Sequence, residues 1–280
     1  MAIQWYPGHM NKARVQLEDK LSLLDVIVEV VDARIPASSR NPLISDIVGD
    51  KPHIIILNKA DLADPNEINK WEAKLKSDGK FVLKLDAQHN TNMAPLFKLI
   101  KLAAKDRIDK LEAKGASNPT IRICLVGIPN CGKSTIINRL VGRNVAIVGD
   151  RPGVTKGQSW LKTSESVQIL DTPGILWPKF EDQAVGFRLA ALGSIKESVF
   201  HADDVALFVM EYLKENYFKS LVKFSRLSEQ SVNDLPLPEL LLAMTEKYGM
   251  RDDYEKMSLF LLNQLRKGRL GRINLEKVEA

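Results

Sequence analysis

Only two cysteines, Cys124 and Cys131, occur in 280 residues. That leaves no disulfide framework and no cluster with metal-ligand spacing, and a reduced, cytoplasmic protein is the expectation. No run of about 18 apolar residues is present to span a bilayer. The opening stretch MAIQWYPGHMNKARVQLEDK is too polar for a secretory signal, so no membrane partner is expected. Internal repeats and low-complexity tracts are also missing, which removes solenoids and disordered tails. What is present is near the globular average, 45% apolar and 27% charged residues, a composition that folds. The length suffices for two medium domains, each with its own core. A net charge of +5 permits an anionic partner such as RNA without identifying one.

Strand-like and helix-like stretches alternate along much of the chain. Val15, Leu17, Leu21 and Leu24 fall on overlapping turns and predict an amphipathic N-terminal helix. The β-branched run DVIVEVVDAR predicts a buried parallel strand. HIIILN predicts a second strand, followed by a helix from Pro65 with an acidic N-cap and a closing glycine. KFVLKLDA predicts a third, followed by one long helix around MAPLFKLIKLAAKDRIDKLEAK. GASNPT is suited to a linker, and beyond it IRICLVG, SWLKT and VQILDTPG predict further strands. Such alternation means an α/β fold, a doubly wound and mostly parallel sheet with ligands at the carboxyl ends of its strands. From about Trp177 helical periods dominate, as in PLPELLLAMTEKYGM, and predict a C-terminal all-helical domain. The expected division is 1–178 and 179–280.

The stretch GIPNCGKST, Gly127 to Thr135, fits G-x-x-x-x-G-K-[ST] between a strand and a helix. Its backbone at Asn130, Cys131, Gly132 and Thr135 offers N–H groups to phosphates, reinforced by the helix N-terminus. Lys133 reaches the β- and γ-phosphates and the Ser134 hydroxyl binds Mg²⁺. Asp171-Thr-Pro-Gly174 ends the strand VQILD, where a carboxylate holds Mg²⁺ through water and the Gly174 N–H meets the γ-phosphate. Between the two motifs, Thr155 in GDRPGVTKGQ is a candidate to close over Mg²⁺; a plain surface loop is the competing interpretation. Asn58-Lys59-Ala60-Asp61 suits a guanine reader. Asp61 accepts from guanine N1–H and the exocyclic amine, a pair adenine lacks, and such sites discriminate by ~10⁴. Asn58 braces the loop and Lys59 lies along the base, while Asp86 and Ala87 in LDAQ approach guanine O6. The base reader thus precedes the phosphate holder in the chain.

Taken in order, these elements resemble the five consensus motifs of translation-factor-like GTPases arranged fourth, fifth, first, second, third, the pattern of a circularly permuted P-loop GTPase. Joining the usual termini through GASNPT and cutting after the third motif leaves the same sheet. Together with WYPGHM at the start, VDARIP at 31–36 and LRKGRLGR near the end, the chain resembles the bacterial ribosome biogenesis GTPase A family over nearly its whole length. That resemblance implies GTP hydrolysis to GDP and phosphate, stimulated by ribosomal particles. It also implies association with the large (50S) ribosomal subunit in late biogenesis, with contacts to its rRNA. A monomer is expected.

Many GTPases carry a water-orienting glutamine after D-x-x-G, but here Ile175 and Leu176 follow. The resemblance points instead to His9 as a catalytic group, tunable near neutral pH; packing against Trp5 or capping the first helix are the alternatives. Asn130 matches the position at which potassium-stimulated GTPases hold K⁺, with a structural turn asparagine as the alternative. Near the end, Leu261, Leu262 and Leu265 are expected to pack inward. Arg266, Lys267, Arg269 and Arg272 would then form an exposed basic patch for RNA phosphates, or a merely solvated face. A small-molecule P-loop kinase and an RNA-binding structural protein with a non-switching nucleotide are the rival functions; the first has no use for a guanine reader.

Overall fold

The computed structural model describes residues 3, 5–89, 93–142, 159–172 and 174–278. Its first helix, α1 (Gly8–Lys20), buries Met10, Ala13 and Leu17, a stripe at helical spacing. Val15, expected on that stripe, is 42% exposed, because the stripe anchored by Met10 leaves it on the outer face.

Alternating elements follow: β1 (Val26–Asp32), α2 (Pro42–Val48), β2 (His53–Asn58), α3 (Pro65–Ser77), β3 (Phe81–Leu85), α4 (Met93–Ala103), α5 (Lys105–Glu112), β4 (Ile121–Val126), α6 (Lys133–Val141), β5 (Ser159–Lys162) and β6 (Val167–Asp171). The strands form one sheet in the order β3-β2-β1-β4-β6-β5, parallel throughout except for β5, which runs antiparallel to β6. Every residue of β1 is buried, as a central strand covered on both faces requires. Val26, Val28 and Val30 face the main core, whereas Ile27 and Val31 join smaller clusters on the other side. Glu29, on that second face, is buried beside His53 Nε2 at 3.2 Å and Arg40 Nε at 3.3 Å. From β1 the chain builds outward through β2 and β3, then returns to place β4 on the opposite flank of β1. The strand order therefore reverses between β1 and β4, and ligands of such sheets bind outside the carboxyl ends there.

Two elements depart from expectation. The long helix after β3 is broken at Ala104 into α4 and α5. Met93, Leu96, Ile100 and Ala103 bury one face of α4, while α5 has no fully buried residue and packs Ile108 against the core. The short helix α2 was not anticipated; Asn41 caps it by accepting from Leu43 N–H, with Pro42 in its first turn.

After β6 the described residues carry helices and no strand: α7 (Gln183–Ala191), α8 (Ala202–Asn216), α9 (Phe218–Ser225), α10 (Glu229–Asp234), α11 (Leu237–Lys247) and α12 (Tyr254–Arg266). Their apolar faces join those of α1 and the first sheet face in one contiguous cluster. Beyond α12 the chain turns back to the sheet, where Ile273 N–H donates to Leu62 O at 3.1 Å and Leu275 N–H to Arg34 O at 2.9 Å.

Candidate functional site

The loop after β4 packs tightly against the β2 loop at Gly132. This residue has φ 101°, a region that side chains rarely adopt, and a Cβ there would collide with Asn58 Nδ2. Helix α6 then starts at Lys133 without a side-chain cap. Its first-turn N–H groups, including those of the half-buried Ser134 and Thr135, are an anion site by geometry. Lys133 is buried and its Nζ donates to Gly127 O at 3.0 Å and Ile128 O at 2.8 Å, folding the ammonium over the loop. Cys131 is buried beneath it.

From the other half of the chain, Asn58 joins this loop to the stretch after β3. Its Nδ2 donates to Cys131 O at 2.8 Å and its Oδ1 accepts from Ala87 N–H at 3.2 Å. Lys59 Nζ spans the same gap, donating to Asn130 O at 2.7 Å. Asp61 is half-buried, and its carboxyl is pushed above the ordinary range by burial and then by the Asp86 charge. Asp86 is in turn paired with His89, whose Nδ1 lies 2.7 Å from Asp86 Oδ2. Residues far apart in sequence thus meet at one edge: Asn58, Lys59 and Asp61 from the β2 loop, Asp86 and Ala87 from the β3 loop, and Asn130 to Thr135 from the β4 loop.

Asp171 ends β6 beside them. Burial drives its carboxyl up to about 6 against the pull of Lys133, and its Oδ1 is buried with no hydrogen-bond partner among the described residues. An orphaned carboxylate oxygen next to a phosphate-type loop fits a divalent cation, with the Ser134 hydroxyl as a second oxygen donor. Gly174 packs against the phosphate-type loop; a Cβ there would come within 2.8 Å of Pro129 Cα. Ile175 N–H donates to Gly127 O at 3.1 Å, and both Ile175 and Leu176 are buried, so neither side chain is available to polar chemistry. Leu176 N–H meets Met10 Sδ at 3.5 Å. His9 adjoins that methionine at the start of α1 and is exposed. It does not cap the helix, whose N-cap is Pro7 without a side-chain bond. Thr155 lies outside the described residues.

The basic segment behaves differently from expectation at Arg266. Leu261, Leu262 and Leu265 are buried, but the Arg266 guanidinium turns inward to the end of α7, donating to Ala191 O at 2.9 Å and Ala190 O at 3.0 Å, with Glu197 at 2.7 Å. Terminal helix carbonyls are the acceptors it answers. Arg272 is exposed yet donates to Ala63 O at 2.9 Å and Ala60 O at 3.1 Å, bracing the β2 loop. Lys267 and Arg269 are exposed. Asn130 also reaches this part of the molecule, its Nδ2 donating to Gly193 O at 2.6 Å. Sequence reasoning assigned no role to Asp32, Arg34 or His89; the VDARIP stretch was visible but carried no chemistry of its own.

With that geometry in hand, the family described as 50S ribosome-binding GTPase matches residues 122–243. The chain is 43% identical to ribosome biogenesis GTPase A of Bacillus cereus, covering 100% of this chain and 95% of that one. It is 34% identical to ribosome biogenesis GTPase A of Thermotoga maritima, covering 99% and 95%. Among solved structures, GDP-bound TM YlqF superposes with a TM-score of 0.66 at 25% identity, covering 95% of this chain and 100% of that chain. GNP-bound YlqF from T. maritima superposes at 0.64 and 26% identity, covering 95% and 98%.

Proposed function

The chain belongs to the ribosome biogenesis GTPase A family, and from that premise we propose that this GTPase is a cytoplasmic, monomeric assembly factor that binds the large (50S) ribosomal subunit and its rRNA late in biogenesis. The observation that carries the nucleotide part is the Asn58 amide, which ties the β2 loop to Cys131 of the phosphate loop and to Ala87. A purine gripped by one half of the chain and a triphosphate gripped by the other need that junction.

In this reading Asp61 accepts from the guanine N1–H and amine, Lys59 lies along the base, and the Ala87 N–H, supported by Asp86, approaches O6. The backbone from Asn130 to Thr135 cradles the phosphates and Lys133 shifts from its loop carbonyls to the β- and γ-oxygens. Ser134, Thr155 and Asp171 would hold Mg²⁺, and Gly174 N–H would meet the γ-phosphate. Mg²⁺ held there would supply positive charge to the phosphates. Asn130 holds K⁺ as a further positive charge; identical turnover in KCl and NaCl would remove that role. His9 acts on the attacking water, a reading supported by its exposure one residue from the methionine that touches Leu176. Single-turnover hydrolysis with 50S particles is expected to fall on His9→Ala while nucleotide affinity holds. Lys267 and Arg269, both exposed, meet rRNA phosphates, with the equally exposed but hydrogen-bonded Arg272 at their margin.

Two measurements test the whole. Asp61→Asn should lose guanine nucleotides and gain xanthine nucleotides, because the amide donates where the carboxylate accepted; an unchanged preference would refute the base site. Cosedimentation with 50S particles should depend on whether GDP or a GTP analogue is bound, and equal binding in both states would refute the assembly switch.

A further inference from the structure

The stretch VDARIP has no role in the reading above, yet two of its residues lie directly beneath the nucleotide loops. Asp32, the last residue of β1, is buried. Its carboxylate accepts from Arg34 Nε at 2.9 Å and Nη2 at 2.8 Å, and Lys59 Nζ lies 2.9 Å away. Burial opposes ionisation of this group most strongly, but the Arg34 and Lys59 cations overcome it and hold the carboxyl well below the usual range. The same Lys59 ammonium donates to Asn130 O at 2.7 Å. One nitrogen therefore joins the end of β1, the base-reading loop and the phosphate loop. Lys59 has φ 61°, a costly backbone for a residue with a side chain, and two strong acceptors are what hold the side chain in place.

Arg34 is 2% exposed. Its remaining amino group, Nη1, reaches Leu265 O and Arg266 O at 3.3 Å each, in the last turn of α12. A guanidinium can engage both oxygens of a carboxylate and a helix end at once, which the point charge of a lysine cannot.

We propose that Asp32 and Arg34 are positioning residues for guanine nucleotide binding: Asp32 holds the Lys59 side chain stretched across the phosphate loop, and Arg34 fixes Asp32 in that orientation from the end of α12. The inference rests on the guanine-site reading and adds to it the residues that make Lys59 a fixed support.

The test is equilibrium binding of fluorescent GDP and of a fluorescent GTP analogue to the full chain, with denaturation midpoints measured in parallel. Wild type, Asp32→Asn, Lys59→Met and the double variant form a cycle. Asp32→Asn is expected to weaken both nucleotides equally, by about tenfold. In the Lys59→Met background it should add less than about twofold, since residues acting through one another are not additive. A lowered midpoint with unchanged binding, or a fully additive loss in the double variant, overturns the proposal. If Asp32→Asn does not fold, Arg34→Lys decides: it keeps the charge, and an equal loss of about threefold or more for GDP and GTP is expected, whereas wild-type affinity overturns the proposal. Failure of the wild-type protein to bind either probe would remove the guanine site itself, and with it this inference.

Discussion

Asp171 shows how a single side chain reports the state of the site. Its carboxyl, raised by burial to about 6, binds a proton more tightly in the folded, metal-free protein than in the unfolded chain. The stability it contributes is full below the ordinary carboxylate range and is lost as pH rises through about 6. Urea denaturation in EDTA should therefore show Asp171→Asn gaining on wild type by about 1 kcal/mol between pH 5 and pH 7.5; a constant difference would mean the carboxyl is not raised. Gly132 makes the steric counterpart. Alanine there meets both a left-handed φ and the Asn58 amide, so GDP affinity should fall by about tenfold or more, as measured by fluorescent-nucleotide titration. Asn58 and Gly132 were legible in the sequence because their motifs fix residue type at fixed local spacing. The reach of Arg34 to the end of α12 was not, because Leu265 lies 231 positions away and the nearby partner Asp32 gives no sign of it. Arg266 misled for the same reason: a basic residue after an apolar turn reads as solvent-facing, and only the distant end of α7 turns it inward.

At the scale of elements, the clearest signals were those with local physics. β-Branched runs became strands, and Asp64-Pro65 began α3, where the Asp64 carboxylate accepts from Asn66 N–H at 2.8 Å and Glu67 N–H at 3.3 Å. That cap also accepts from Tyr217 OH at 3.2 Å, linking α3 to the helical part. Asp64→Ala should cost about 1–2 kcal/mol in chemical denaturation, and Asp64→Ser should recover most of it; equal losses would show that the Tyr217 link, not the cap, carries the effect. Helix α2 offered the same kind of signal, Asn41 before Pro42, but its seven residues bury only Ile44 and Val48, too few to stand out as a periodic stripe. Its cap does more than end a helix, since Asn41 Nδ2 donates to Ile175 O at 3.0 Å and so fixes the segment after Gly174. The break at Ala104 had no local signal, because Ala-Lys-Asp-Arg is free of glycine and proline and continues a good helix former.

Across the whole molecule, the chain order sends the segment after Gly174 straight into the helices, and the last described residues return to lock them onto the sheet. Glu276 is buried and accepts from Ser38 N–H at 3.1 Å and from the Ala37 N–H in the loop after β1, with Arg188 of α7 at 3.9 Å. One carboxylate thus clamps the C-terminal segment, a sheet loop and the first helix of the helical part, and the contiguous apolar cluster makes the two parts share a core. Sheet and helices should therefore unfold together. Trp71 on α3 and Trp160 on β5 belong to the sheet part, so in a Trp5→Phe, Trp177→Phe background fluorescence follows the sheet, while far-UV circular dichroism reports the helices of both parts. With Glu276 intact the two transitions should coincide, which is the mark of a single cooperative unit. Glu276→Ala leaves buried donors around Ser38 without their acceptor and should lower stability by about 1–3 kcal/mol. Because the lost bonds are those crossing between the parts, part of the far-UV signal should be lost at lower denaturant, ahead of the tryptophan signal. Transitions that already separate with Glu276 intact would show that the shared core does not couple sheet to helices, and that nucleotide state reaches the helices only through the loops of the site.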